Sequence, residues 1–268
     1  MLKELSKRQQ RLIKTLRESK TARVKNRCFI VEGVRNIEEV IDSAYDIRFV
    51  VLSDGFLDSN DVFLGRLKKK ISEDRLYKAS NKSFTELADT VTPQGILAVI
   101  NFKDAKLNNI IKDNFLIIAL DKIQDPGNLG TIIRTADAAG ADGIIVGKGC
   151  VDIYNPKVVR SAMGSIFHIP IVHTDDLSKT LLEIKQRGGQ VVTTHLSAKQ
   201  DYYNVNFKTS TVIVMGSEAS GVSQEISEIS DKLVRIDMPG QAESLNVAVA
   251  HGIIVFEAVR QRSRTKKC

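Results

Sequence analysis

The stretch 121–140, DKIQDPGNLGTIIRTADAAG, constrains this chain more than any other. An apolar run at 115–120 precedes it and predicts a buried strand. Asp125-Pro126-Gly127 is a turn signal, and Asn128 stands where a helix N-cap belongs. Residues 129–139 predict a helix, with Gly140 as its stop. The short apolar segment 142–147, DGIIVG, predicts a second buried strand. Together these form a βαβ unit with a sharp turn at the carboxyl end of a strand. Ligands bind at such turns in open α/β sheets. Arg134 lies two turns into a helix otherwise made of Thr, Ile and Ala. By position alone it reads either as a solvated charge or as a functional group.

With 268 residues the chain has room for one large or two medium domains and a sizeable core. Its net charge of +7 is unevenly placed. In residues 1–27, ten Lys and Arg face only Glu4 and Glu18, so this stretch alone carries +8 and the rest is near neutral. A concentrated basic segment favours a polyanionic partner, most often nucleic acid, although a solvated helix face has the same composition. Leu2, Leu5, Leu12, Ile13 and Leu16 share one face of an amphipathic helix predicted over 2–19. That helix is expected to pack on the body of the protein, to touch RNA phosphates, or both.

Cys28, Cys150 and Cys268 form neither a CxxC nor a metal-ligand spacing. A reducing, cytoplasmic setting is the simplest expectation. No run approaches the roughly 20 apolar residues of a membrane span, and no metal is expected. P-loop, GxGxxG, HExxH and GxSxG signatures are absent, which disfavours the common hydrolase and dehydrogenase classes.

Alternating strand and helix patterns over 29–102 predict a small α/β domain, and the polar stretch 103–114 is the expected boundary. The domains are therefore read as 1–103 and 114–268. In the second, strands are predicted at 169–172, 190–194, 211–215 and 233–236. Helices are predicted at 155–167, from an Asp175 cap to 187, at 223–231 and at 244–262. Gly252 in the last helix is expected to admit a close backbone approach. Three loops rich in Gly, Ser, Asn or Glu follow apolar strands, at 125–130, 216–221 and 239–246. Such loops offer backbone groups to a ligand, and three in one domain imply a shared pocket.

Taken together, the three loops resemble the motifs of the SpoU (TrmH-type) RNA ribose 2′-O-methyltransferases of the SPOUT superfamily. The first motif is Asn128-Leu129-Gly130 with Arg134 and Ala136; the second is Val214-Met215-Gly216-Ser217-Glu218 with Gly221. The third is Ile236-Asp237-Met238-Pro239 followed by Ser244-Leu245-Asn246-Val247-Ala248 and Ala250. Residues 25–100, with 29–33 (FIVEG) as the best local match, are similar to the L30e-like substrate-binding domain of rRNA-directed members.

The resemblance implies an α/β fold with a C-terminal trefoil-knotted methyltransferase domain, an exception to the unknotted rule. It also implies S-adenosylmethionine as cofactor and a homodimer. Arg134, Asn128, Glu218, Ser244 and Asn246 take the catalytic positions. Thr194, His195, Gly216, Ile236, Met238 and Leu245 take the cofactor positions. The implied chemistry is attack of a ribose 2′-oxygen on a sulfonium methyl. A guanidinium stays protonated, so Arg134 suits phosphate binding and alkoxide stabilisation better than proton removal. Helix capping is the structural alternative for Asn128 and Ser244, core packing for Ile236 and Leu245, and a surface carboxylate for Glu218. The expected substrate is large-subunit, 23S-type rRNA. A tRNA 2′-O-methyltransferase and a non-catalytic RNA-binding assembly factor are the alternatives.

Overall fold

The computed structural model describes residues 2–263; Met1 and 264–268, including Cys268, lie outside the described residues. The chain forms two compact units. One runs up to Lys103 and takes in Asp152–Phe167; the other comprises Asp104–Val151 and the chain from His168 onward. The break after Lys103 falls where the polar stretch begins. Asp152–Phe167, expected with the second domain, packs instead in the first unit. Its contacts are non-local: Tyr154 lies against Phe29, and Asp152 pairs with Arg23.

In the first unit the order is β1 (Lys3–Glu4), α1 (Lys7–Glu18), α2 (Lys20–Asn26), β2 (Cys28–Glu32), α3 (Val34–Asp42) and β3 (Ile47–Ser53). Then follow α4 (Asp54–Leu57), α5 (Asp61–Lys70), β4 (Leu76–Ala79), α6 (Asn81–Leu87) and β5 (Ile96–Asn101). The sheet order is β1-β4-β3-β5-β2, with β5 antiparallel to both β2 and β3. The basic N-terminal helix starts at Lys7 rather than at residue 2. Ser6 caps it in a capping box with Gln9, and Lys3–Glu4 pairs with β4 instead. Its apolar stripe is buried: Leu5, Ile13 and Leu16 pack with Phe84 and Leu87 on Ile30, Phe49, Val51 and Val99 of the sheet.

The second unit begins with β6 (Leu116–Asp121), α7 (Pro126–Ala138) and β7 (Gly143–Gly147). The helix α8 (Pro156–Ala162) follows in sequence but belongs to the first unit. It ends earlier than the predicted 167, because Met163 and Gly164 both adopt positive φ, 51° and 95°. The second unit resumes with β8 (Ile171–Thr174), α9 (Leu177–Gln186), β9 (Gln190–Thr194) and β10 (Gln200–Asp201). It closes with β11 (Thr211–Gly216), α10 (Gln224–Ile229), β12 (Lys232–Arg235) and α11 (Val247–Ser263). All seven strands are parallel, in the order β10-β12-β9-β11-β6-β7-β8. From β6 the chain crosses to β7 on one side; from β11 it crosses to β12 on the other. The β6–β11 pair is therefore the topological switch point. Phe115, Ile117 and Val214 meet Leu181 and Ile184 of α9 and Ile226 of α10. The helix α11 packs on α7 and β11.

Three helix starts of the second unit differ from the sequence reading. Asp176, not Asp175, caps α9, its side chain accepting the Lys179 N–H at 2.9 Å. Asp125, not Asn128, caps α7: its side chain accepts the Asn128 N–H at 2.8 Å, and Pro126 occupies the first helical position. The last helix begins at Val247, not Ser244, because the side chain of Asn246 accepts the N–H groups of Ala248 and Val249. A Cβ placed on Gly252 would meet only the Thr135 methyl, at 3.8 Å, so among the described residues no backbone makes the close approach expected there.

His251 is fully buried in α11, and neither ring nitrogen has a partner among the described residues. Burial pushes its pKa down from 6.5 to about 4. Folded protein keeps it neutral between those values, whereas unfolded chain takes up a proton below pH 6.5. Stability is therefore lost as pH falls from 6.5 toward 4, by about 3 kcal/mol from this group. Chemical denaturation of His251→Leu across that range is expected to remove this part of the pH dependence. An unchanged slope would contradict the assignment.

Candidate active site

The carboxyl ends of β6, β9, β11 and β12 carry all the loops singled out in the sequence. Because Asp125 caps α7, the Asn128 side chain is free of capping and points out of the first helical turn. Its Nδ2 donates to Glu218 Oε1 at 2.5 Å, and its Oδ1 accepts from Asn246 Nδ2 at 2.9 Å. One amide thus ties the loop after β11 and the loop before α11 to the helix after β6. The amide also settles which way the Asn128 side chain faces, since only its nitrogen can donate to a carboxylate. Glu218 is thus tied to Asn128 rather than standing as an unengaged surface carboxylate.

Arg134 is exposed on α7, and among the described residues no acid or carbonyl engages its guanidinium. No salt bridge from the helix to a loop therefore accounts for this side chain among the described residues. Ser244 is exposed in the loop and neither caps a helix nor joins the amide network of Asn128, Glu218 and Asn246.

The loop leaving β11 is shaped by backbone. Ser217 and Gly221 exchange N–H···O bonds of 3.0 and 2.8 Å, closing a tight turn with Glu218 at its tip. A Cβ on Gly216 would lie 2.3 Å from the Gly221 carbonyl carbon, so no side chain fits there. Thr194 ends β9 and donates its hydroxyl to Val214 O at 3.2 Å, joining β9 to β11. His195 follows, its N–H on Val234 O (2.9 Å) and its Nδ1 2.8 Å from the Ser197 hydroxyl. Ile236, Met238 and Leu245 are partly exposed around these strand ends and lie outside the buried core. Plain core packing therefore does not account for Ile236 and Leu245. The resulting surface is glycine-shaped backbone with the part-exposed apolar side chains of Ile236, Met238 and Leu245 around the strand ends. Among the described residues no group of His, Cys, Asp and Glu could hold a metal ion, and no helix is long and apolar enough to cross a membrane.

Sequence reasoning missed Asp125 and Asp121. The signal for Asp125 was the proline after it, which belongs at the first helical position and so puts the cap one residue earlier. Nothing local announces Asp121, whose partner Ser223 lies 102 residues away.

A parallel sheet with backbone-shaped loops at its switch point defines an α/β domain of the class whose members bind ligands at that edge. Residues 115–256 match the SpoU rRNA methylase family, and residues 7–98 match the MRM3-like substrate binding domain. The chain belongs to the SpoU rRNA methylase family, with a substrate-binding domain preceding the SpoU domain. It is 37% identical over 238 residues to the 23S rRNA (guanosine(2553)-2′-O)-methyltransferase RlmP of Bacillus subtilis, covering 89% of this chain and 91% of that one. With the 23S rRNA (guanosine-2′-O-)-methyltransferase RlmB of Ralstonia nicotianae it shares 39% identity over 194 residues, 70% of this chain and 78% of the other. Among solved structures, the SpoU methyltransferase AviRb of Streptomyces viridochromogenes in complex with AdoMet superposes with a TM-score of 0.87. That pair is 29% identical and covers 97% of this chain and 99% of AviRb. An AdoMet-bound rRNA methyltransferase of Sinorhizobium meliloti gives a TM-score of 0.85 at 31% identity, covering 97% of each chain.

Proposed function

We propose that the protein is an S-adenosylmethionine-dependent RNA methyltransferase that modifies a ribose 2′-hydroxyl in large-subunit rRNA. The observation that carries this reading is the Glu218–Asn128–Asn246 network, which joins three sequence motifs into one site on the helix that carries Arg134, exposed and without a partner among the described residues. Its relatives RlmP and RlmB are 23S rRNA 2′-O-methyltransferases by name. The cofactor supplies a methyl group activated on a sulfonium. Gly216, Ile236 and the turn before Leu245 would hold its adenosine through backbone groups, with Thr194, His195 and Met238 walling the pocket. Arg134 would bind the phosphate beside the target ribose and stabilise charge growing on the 2′-oxygen. The amides of Asn128 and Asn246 keep the loops aligned for that approach, which supplies much of the rate.

Two further surfaces belong to this reading. Val249 (52% exposed) and Phe256 (48% exposed) are two turns apart on α11, with the part-exposed Gly252 and Ile253 between them. An exposed apolar stripe on a helix that is buried elsewhere suits a second copy of this chain, and the protein is proposed to be a homodimer through it. On the first unit, eight of the ten N-terminal cations divide by role. Arg23 is buried, Arg17 donates to the carbonyls of Glu86 and Ala88, and Lys14 meets Glu86. Lys7, Arg8, Arg11, Lys20 and Lys25 are exposed without an acidic partner among the described residues. These five form the proposed contact with RNA phosphates. Replacing Lys7, Arg8 and Arg11 by Gln is expected to raise KM for rRNA and to flatten its dependence on log salt by about 2. The turnover number should stay near wild type; an unchanged salt slope would remove these residues from the contact.

The function is tested by transfer of labelled methyl to rRNA and, separately, tRNA from cells lacking the protein. A 2′-O-methylated nucleoside in rRNA is the expected product. Label in tRNA alone would move the substrate, and failure to bind cofactor would leave the assembly-factor alternative.

A further inference from the structure

Three aspartates of the second unit accept a backbone N–H from a distant segment. Asp142 accepts from Leu116 (2.9 Å) and Asp231 from Val191 (2.8 Å). Both bonds lie at the amino ends of strands, β6 and β9, the side of a parallel sheet away from ligands. The third, Asp121, accepts from Ser223 (2.8 Å) at the carboxyl end of β6, and it is only 5% exposed. No step of the reaction uses this carboxylate. Resting on the cofactor pocket proposed above, we infer that Asp121 is a positioning residue that holds the 216–222 loop in its ligand-binding path.

Asp121 pairs in register with Gly216, the residue at which the loop leaves β11. The loop turns back through the Ser217–Gly221 bridge and enters α10 after Ser223. Its stem therefore leaves the sheet beside Asp121 and returns to the same carboxylate. A carboxylate accepting a backbone N–H makes a strong, directional bond, and a nearly buried one is held to it by the penalty of losing it. The other end of the loop is tied at Glu218 to Asn128. With the stem fixed, the backbone groups at Gly216 keep one orientation, and Glu218 arrives within reach of the amide. With the stem released, both are free to shift while the sheet, pinned at its amino end by Asp142 and Asp231, remains folded.

The test is S-adenosylmethionine affinity measured by calorimetry without RNA, together with thermal melting, on the full chain. Asp121→Ala is expected to weaken binding roughly 10- to 100-fold, the loss of one charge-assisted bond. Asp121→Asn keeps an acceptor oxygen and is expected to bind within about threefold of wild type. Ser223→Pro removes the donor while leaving the Asp121 carboxylate in place, at a φ of −62° that proline adopts, and should weaken binding as Asp121→Ala does. Asp142→Ala should lower the melting temperature and leave affinity unchanged. Gly216→Ala tests the pocket itself and should abolish binding. Wild-type affinity in Asp121→Ala and Ser223→Pro with binding lost in Gly216→Ala overturns the inference and spares the pocket. So does an equal loss in Asp142→Ala, which would make the effect general to the sheet. Wild-type affinity in a folded Gly216→Ala overturns the pocket and the inference with it.

Discussion

Replacing Arg134 by Ala is expected to lower methyl transfer to rRNA by about 10²- to 10³-fold while leaving cofactor affinity and melting temperature as they are. The side chain is exposed and engages nothing among the described residues, so its removal opens no cavity and strands no buried partner. What it removes is a set of donors fixed on a helix within the same unit as the amide network. A helix-borne group needs little reorganisation when charge develops, which is why such donors are worth more at a site than in water. Arg134→Lys is expected to recover little, because an ammonium cannot offer the planar two-donor face that a phosphate takes. Single-turnover transfer at saturating RNA and cofactor separates the outcomes. A rate loss with unchanged cofactor affinity supports the role. Loss of cofactor binding would move Arg134 into the pocket, and an unchanged rate would remove it from the reaction.

The helix that carries Arg134 was legible because strand, turn and helix signals follow one another within 25 residues of sequence. The same locality made the parallel strands readable as apolar runs, since both faces of that sheet are covered. The motif loops were legible for a different reason: Gly, Asn and Ser after an apolar strand are a backbone requirement, and Gly216 shows it as a forbidden Cβ. The cap of α7 was misread by three residues, although Pro126 marked it. Ser244 was placed in a helix that Asn246 starts later. Who holds Glu218 could not be read, because Asn128 is 90 residues distant in sequence. The structure alone pairs them, and among the described residues it gives Arg134 no partner.

The largest stability effect is expected outside the active site, at Asp152. Arg23 (3% exposed) donates from Nε to Asp152 Oδ2 at 2.7 Å, and from Nη1 to the carbonyls of Leu16 and Arg17. Asp152 (11% exposed) also accepts the Tyr154 N–H at 3.0 Å. The pair is buried and its hydrogen bonds are made, so breaking it leaves a guanidinium without its counter-ion in a desolvated place. Asp152→Ala is accordingly expected to destabilise the protein by about 3–5 kcal/mol. The pair sits beside an aromatic group that holds the same segment. Tyr154 lies 4.4 Å from Phe29 and stacks on Phe102 at 4.0 Å, and Phe167 meets Tyr45 edge-on at 5.3 Å. These rings bury a large apolar area in the first unit, and they do so with residues that the chain supplies only after β7. The ion pair and the rings make separable predictions. Arg23→Met with Asp152→Leu removes both charges and is expected to recover most of the loss, because an apolar pair of similar volume is about as stable as a buried ion pair. The isolated chain 1–103 lacks the segment altogether, exposes Phe29 and leaves Arg23 unpaired. It is expected to melt without a cooperative transition, whereas the full chain unfolds cooperatively. Denaturant unfolding of the two variants and of 1–103 checks this. If Asp152→Ala is no less stable than wild type, the ion pair is not what fixes the segment. If 1–103 unfolds cooperatively at wild-type stability, residues 152–167 are not part of that unit's core.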